Sequence, residues 1–310
     1  MMKKLTDSCS ICGDLSLIEV YPASDINQSA TIEIDSSDYR CTSMAHHKKP
    51  LVSKCINCGV FQIPKSFQPK NLIEAYGEVV DEDYLDNFQI KKKTFSYAFK
   101  NIKKYIPRHS RLLEIGSYCG LFLNAAIEAG VKCTGIDPSR WAAAYSQSYL
   151  KEAKIINLPF ESAIEVIDGP FDVIVTWDVI EHVANPNQMI RDINTLLKEG
   201  GFFIFSTINI DSLLAKIMGK KWHWIMDMHL YYFTHQSLSK LLKKAGFDLL
   251  ETGGHRHYAS LKYAYRKFCF CFSEGIANAL LKFDLFIPNI MIPFTLGDVR
   301  YYVAIKRSET

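Results

Sequence analysis

The chain has 310 residues, 48% hydrophobic and 22% charged, with a net charge of +3. That is ordinary globular composition, long enough for one large and one small domain. The charge is too small for a nucleic-acid binder, and no apolar run approaches the roughly 18 residues that span a bilayer. The start, "MMKKLTDSCS", has basic residues without an apolar core behind them, so no secretory signal is read and a cytoplasmic protein is expected.

Residues 1–70 lack long helical periodicity and offer only short β-type runs, "TIEI" and "VFQI". They carry Cys9-x2-Cys12 and Cys55-x2-Cys58, each pair followed by glycine and separated by 42 residues. Four thiolates at this spacing suit one tetrahedral ion, and the trailing glycines suit knuckle turns in which backbone N–H groups approach sulfur. Structural Zn2+ in a zinc-ribbon-like module is the expectation. A redox pair, buried free thiols, or replacement of one ligand by Cys41, His46 or His47 are the alternatives. Four protein thiolates leave no open coordination position, which argues against catalysis by this ion.

A linker over 71–107 follows. Within it Tyr84, Leu85, Phe88, Phe95, Phe99, Ile102 and Ile106 fall at helical spacing, and Pro107 ends the run. Beyond it, strands alternate with helices. "RLLEIG", "VKCTGID", "KIIN", "FDVIVTWD", "FFIFST" and "DLLETGG" read as strands; "LFLNAAIEAG", "RWAAAYSQSYLK", "NQMIRDINTLLKEGG" and "SLSKLLKKAGF" read as helices. Apolar, barely alternating strands between amphipathic helices specify an α/β, doubly wound sheet over 108–310, with ligands at the carboxyl ends of the strands. A helical insertion at about 258–297 precedes the last strand, "DVRYYVAIKR". Its basic, aromatic helices, at 258–290, offer either a cap and dimer surface or a peripheral membrane contact.

The loop after the first core strand reads Glu114-Ile-Gly116-Ser117-Tyr118-Cys-Gly120. Gly116 allows a tight turn and Gly120 close packing of the next helix, whose first N–H groups face the ligand. An acid ahead of the first glycine would repel a pyrophosphate and attract a cationic or amino-bearing ligand. Asp137 ends the second strand, where a carboxylate accepts from both hydroxyls of a ribose.

"LLEIGSYCG…GIDPS…FDVIVTWDVIEHV…LLKEGGFFIFST" resembles the class I S-adenosylmethionine-dependent methyltransferases over roughly 108–254. The resemblance implies a Rossmann-like methyltransferase sheet. It also implies cofactor contacts from Glu114, Gly116, Ser117, Tyr118 and Gly120, from Asp137 at the ribose, from Asn157 and Leu158 flanking adenine, and from Trp177 and Asp178 closing the fourth-strand loop. Tyr118 stands where the family's middle glycine belongs. The cysteine knuckles, with "DYRCTS", "VVDEDYL" and "HLYYFT", resemble a bacterial subgroup met in glycan and natural-product pathways, which implies a small-molecule acceptor such as a sugar hydroxyl; the modest charge, without a basic stripe interleaved with aromatics, argues against nucleic acid.

Methyl transfer to a hydroxyl needs in-line alignment and a base. His182 is the candidate, with Glu181 orienting it or holding a divalent ion beside Asp178; His229 is the rival base. Trp222, His223, Trp224, Tyr231 and Tyr232 offer aromatic surface to an acceptor or pack as a lid. Carbon methylation of a keto-deoxysugar, a nucleic-acid methyltransferase with the zinc module as reader, and a non-catalytic cofactor-binding partner are the alternative readings.

Overall fold

The computed structural model describes residues 3–24, 35–41, 49–262, 265, 269, 274–288 and 290–308. Strands β1 (Leu17–Tyr21), β2 (Val52–Cys55) and β3 (Phe61–Gln62) form an antiparallel N-terminal ribbon. "TIEI", His46, His47, Arg266, Lys267 and Cys271 lie outside the described residues. Helices α1 (Leu72–Gly77), α2 (Glu82–Asp86) and α3 (Phe88–Ile102) then lead to the core.

The core strands are β4 (Arg111–Ile115), β5 (Lys132–Ile136), β6 (Lys154–Ile156), β7 (Phe171–Trp177) and β8 (Leu197–Ile208). After them come β9 (Tyr231–Tyr232), β10 (Phe247–Gly254), β11 (His257–Ser260), β12 (Met291–Phe294) and β13 (Val299–Lys306). Seven of these build one sheet in the order β10-β13-β8-β7-β4-β5-β6, parallel from β8 to β6, with β13 antiparallel to both neighbours. Strand order reverses between β4 and β7, so the loops after β4, β5 and β7 converge at one edge.

Both faces of this sheet are covered, which explains its unalternated apolar strands. Leu113, Ile115 and Ile174 pack into one core; Leu112, Val173 and Val175 pack into the other. Helices α4 (Leu121–Glu128), α5 (Arg140–Tyr149), α6 (Phe160–Ala163) and α7 (Pro186–Leu196) cross between the strands, and two of them begin on clear local signals. Ser139 caps α5 by accepting from the Ala142 N–H at 3.1 Å. Asn185, with Pro186 next, caps α7, whose buried stripe is Met189, Ile190 and Ile193.

Three elements differ from the sequence reading. "LKEGG" does not finish α7; Leu197 already begins β8, which pairs with Phe171 at the start of β7. The segment at 257–260 is a strand paired with β12 rather than the start of an aromatic helix, and the described helix of the insertion spans Glu274–Leu281. Finally, β9 leaves the core to join the N-terminal ribbon, giving the sheet order β1-β2-β3-β9. No helix among the described residues is long and apolar enough to cross a membrane.

Candidate active site and metal centre

The carboxyl ends of β4, β5 and β7 open into a cavity of about 1310 Å³, larger than the roughly 300–1,000 Å³ typical of one ligand. It has room for a cofactor and an acceptor together. Gly116, Tyr118, Asp137, Trp177 and Asp178 line it. Gly116 and Gly120 have φ of +75° and +70°, and an added Cβ would come within 2.6 Å of Val179 and 2.4 Å of Leu150. Glycine is required at both by conformation and by space.

Tyr118 adopts φ +44°, so the backbone keeps the glycine-type turn although the residue carries a side chain. Its N–H donates to Asp137 Oδ2 at 2.7 Å, and the Ser139 N–H donates to Oδ1 at 2.9 Å. Burial raises the Asp137 pKa to about 6 against these two favourable bonds. The Tyr118 ring packs edge-on against Tyr84 at 4.8 Å, and its hydroxyl donates to Asp81 at 3.2 Å. The ring therefore forms a wall of the cavity with the helices that precede the core.

Glu114 sits behind the loop, 2% exposed, with Oε2 lacking a hydrogen-bond partner among the described residues. Burial, with Asp137 nearby, pushes its carboxyl well above the ordinary range. Ser117 and Gly120 are likewise buried behind the wall. Asn157 and Leu158 do not line the cavity: Asn157 Nδ2 donates to the Asp137 and Pro138 carbonyls, and Leu158 packs on the core. Pro159, Phe160 and Glu161 take that stretch of wall instead. The fit to a cationic nucleoside is chemical: a carboxylate held at the end of β5, a second at the end of β7, and a glycine loop open to close approach.

Beyond β7, Glu181, His182 and His229 come together, with one ligand-type atom of each within 4.8 Å of the others. Nδ1 of His182 lies 3.0 Å from the Met228 carbonyl oxygen and 2.7 Å from the Tyr76 hydroxyl. A carbonyl only accepts, so this contact assigns the proton to Nδ1 and leaves the lone pair on Nε2. Burial lowers the His182 pKa to about 4 and, with Asp178 adding repulsion, raises Glu181 to about 8. Among the described residues neither Glu181 oxygen has a hydrogen-bond partner at good geometry, although Thr207 and the Ile208 backbone lie near enough to oppose the rise. Asp178 lies close enough to act on Glu181, and each makes further contacts. Asp178 Oδ1 accepts from Ser206 Oγ at 2.6 Å, and Glu181 groups with the two histidines.

The aromatic segment after β8 divides. Trp222, Tyr231 and Tyr232 are core residues at 0–1% exposure, which corrects their reading as acceptor surface. His223, Trp224 and His229 do line the cavity. Sequence reasoning missed Tyr76, Asp81 and Tyr84: helical spacing marked Tyr84 for packing, and nothing local tied any of the three to the loop.

Cys9, Cys12, Cys55 and Cys58 gather with their sulfurs within 4.8 Å of one another. Cys9–Cys58 and Cys12–Cys55 are each separated by 3.6 Å, too far for a disulfide and suited to a shared tetrahedral ion. The Cys58 N–H approaches Cys55 Sγ at 3.5 Å, and Gly13 and Gly59 turn at φ +79° and +81°. The donor set fits a metal. Cys41 lies apart, on the cavity wall.

A family model described as a methyltransferase domain matches residues 90–252, over half of the chain. The chain is 33% identical over 175 residues to the ubiquinone biosynthesis O-methyltransferase of Maricaulis maris, covering 55% of this chain and 68% of that protein. It is 33% identical over 104 residues to the protein of the same name from Albidiferax ferrireducens, covering 32% of this chain and 41% of that one. It thus spans less than half the length of the second relative. These names give no support to a glycan or sugar acceptor. Among solved structures, a chain from the complex between the Haloferax volcanii Trm112 methyltransferase activator and a methyltransferase aligns with TM-score 0.51 at 13% identity, covering 72% of this chain and 94% of that one, a likeness of fold. Glycine loop, strand-end carboxylates and family match converge: the chain belongs to the methyltransferase-domain family and is an S-adenosylmethionine-dependent methyltransferase.

Proposed function

We propose that the chain methylates a hydroxyl on a small, ring-bearing acceptor, with His182 accepting the hydroxyl proton at Nε2. One observation carries this reading: the Met228 carbonyl fixes the Nδ1–H tautomer of a cavity-lining imidazole that is neutral near pH 7. S-adenosylmethionine, when bound, supplies an electrophilic methyl; Asp137 and the Gly116–Gly120 loop hold it. Tyr76 and Met228 orient His182, and the Tyr84–Tyr118 pair excludes water from one side.

The relatives' names favour oxygen on a quinone-type ring, and aromatic walls such as Phe95, Trp177 and Tyr258 suit a flat apolar body. A sugar hydroxyl, expected from the resemblance of the cysteine knuckles, is the second acceptor class to test. We assign zinc to the four cysteines as a structural ion, on the strength of an all-thiolate, closed donor set.

Purified protein with S-adenosylmethionine and separate panels of dihydroxybenzenes and monosaccharides tests the reading. Formation of S-adenosylhomocysteine with the methyl on oxygen is expected. A carbon-bound methyl, or no turnover with either panel, overturns it. Metal analysis is expected to give one zinc per chain, lost when two of the four cysteines are replaced.

A further inference from the structure

The corner between β10 and β11 carries His255-Arg256-His257. The backbone alternates there: Arg256 turns away, its guanidinium 4.5 Å over the Tyr97 ring, while His255 and His257 face each other at 4.6 Å. The His255 N–H donates to the Val299 carbonyl at 3.0 Å, which fixes the corner against β13. His255 is 4% exposed, and its ring lies 5.4 Å from Trp177 at the end of β7; His257 abuts Phe294 of β12 at 5.8 Å. Both histidines line the same cavity as the cofactor loop.

Nε2 of His257 and Nε1 of Trp177 are both buried and without a hydrogen-bond partner among the described residues. Buried polar atoms left so are costly, and native sites supply them a partner. Two such side chains on one stretch of wall, with the His255 ring packed between them, point to a bound group. Burial lowers both histidines below the ordinary value, His257 to about 3; His255 and Lys91 act on it in the same direction and Asp178 opposes them. Each neutral ring is one donor and one acceptor, and the indole N–H is a donor. An oxygen that both donates and accepts, a hydroxyl, matches this set.

We propose that His255 and His257 anchor a second oxygen of the acceptor, so that the site selects rings carrying a hydroxyl besides the one that is methylated. The inference rests on the ring-hydroxyl reading above. The strand that begins the insertion thereby becomes part of the acceptor site, and the pair sets specificity without taking the reacting proton.

Calorimetry on protein saturated with S-adenosylhomocysteine, titrated with catechol and with phenol, tests it. The wild type is expected to prefer catechol by roughly tenfold, the effect of one well-made buried hydrogen bond. His255→Leu and His257→Leu should each remove that preference while leaving phenol and S-adenosylhomocysteine affinities unchanged, and His257→Gln should restore part of it. Equal wild-type affinity for the two probes overturns the proposal. So does a preference that survives in both leucine variants, or a loss of S-adenosylhomocysteine affinity, which would assign the pair to the cofactor. A wild type that binds neither probe overturns the ring-hydroxyl reading itself, and this inference with it.

Discussion

The hydroxyl of Tyr76 lies 2.7 Å from Nδ1 of His182, joining the first helix of the linker to the loop after β7 across 106 residues of sequence. Removing that hydroxyl leaves the Met228 carbonyl as the remaining partner of Nδ1, so the ring keeps its tautomer and loses part of its orientation. Tyr76→Phe should lower turnover roughly 5–10-fold, the worth of about one hydrogen bond, with cofactor affinity unchanged. His182→Ala should lower it by about 10²–10⁴. Steady-state kinetics beside calorimetry would check both; equal losses would assign the proton to Tyr76 instead.

The depressed pKa of His182 has a sign that can be tested. With a folded value of about 4 against an ordinary 6.5, the base is neutral at pH 7, and kcat/KM should fall as pH drops through about 4. The unfolded chain takes up this proton first, so the stability gained by keeping the ring neutral is complete above 6.5 and lost between 6.5 and about 4. Thermal melts from pH 7 down to 4 should show a decline that is shallower in His182→Phe.

The metal module is tied to the catalytic cluster through the sheet. Cys55 ends β2, β2 pairs with β3, and β3 pairs with β9. The Ile63 N–H donates to the Leu230 carbonyl at 2.9 Å, while the Leu230 N–H donates to the Glu181 carbonyl at 2.8 Å. On the other side Asn187 of α7 donates to the Ser10 and Ile11 carbonyls, both at 3.0 Å. Chelation, or Cys55→Ser, should therefore displace His229 and Glu181 as well as loosen the ribbon. A loss of a few kcal/mol lowers Tm by roughly 10 °C in a domain of comparable size. Turnover should fall with Tm, while cofactor affinity, set by β4 and β5, should hold; a fall in Tm with full turnover in the folded fraction would refute the coupling.

Asp137 gives a second pH handle. Its folded value of about 6 means that the carboxylate is ionised above that pH and accepts from Tyr118, Ser139 and a ribose. Below it, protonation removes acceptor capacity, so S-adenosylmethionine affinity should weaken by up to about tenfold per pH unit. Asp137→Asn should bind weakly at every pH and show no such slope by calorimetry.

The parallel sheet was legible because β4 and β7 are buried on both faces, which leaves an apolar run no other covered environment. Gly116, Gly120 and Asp137 were legible because conformation and ribose chemistry demand those residue types at strand ends. What stayed hidden were contacts made at a distance. Tyr76 and Tyr84 reach the site from helices of the linker, and Asp81 from the turn before α2, with no local pattern that speaks of the site. Tyr231 and Tyr232 read as loop aromatics because their partner, Phe61–Gln62, lies some 170 residues away. His255 and His257 carry no local signal, because the contacts with β13 and Trp177 that set them on the cavity wall come from distant strands.

Tyr118 is where two effects of opposite sign meet. Its φ of +44° costs a non-glycine residue about 1–2 kcal/mol, which Tyr118→Gly would relieve. The same change removes an edge-on contact with Tyr84, worth about 0.5–1.5 kcal/mol, a contact with Trp141, and a hydrogen bond to Asp81 of about 1 kcal/mol. It also gives up burial of the ring, about 1.5–3 kcal/mol. The losses exceed the relief, so Tyr118→Gly should lower stability by about 1–4 kcal/mol and weaken cofactor binding by opening the wall between the loop and α2. Tyr118→Phe keeps the ring and the strain and gives up only the hydroxyl, so it should fall between. Melting curves and S-adenosylmethionine titrations on the two variants separate the contributions; a glycine variant more stable than the wild type would mean that strain, not the wall, dominates at this position.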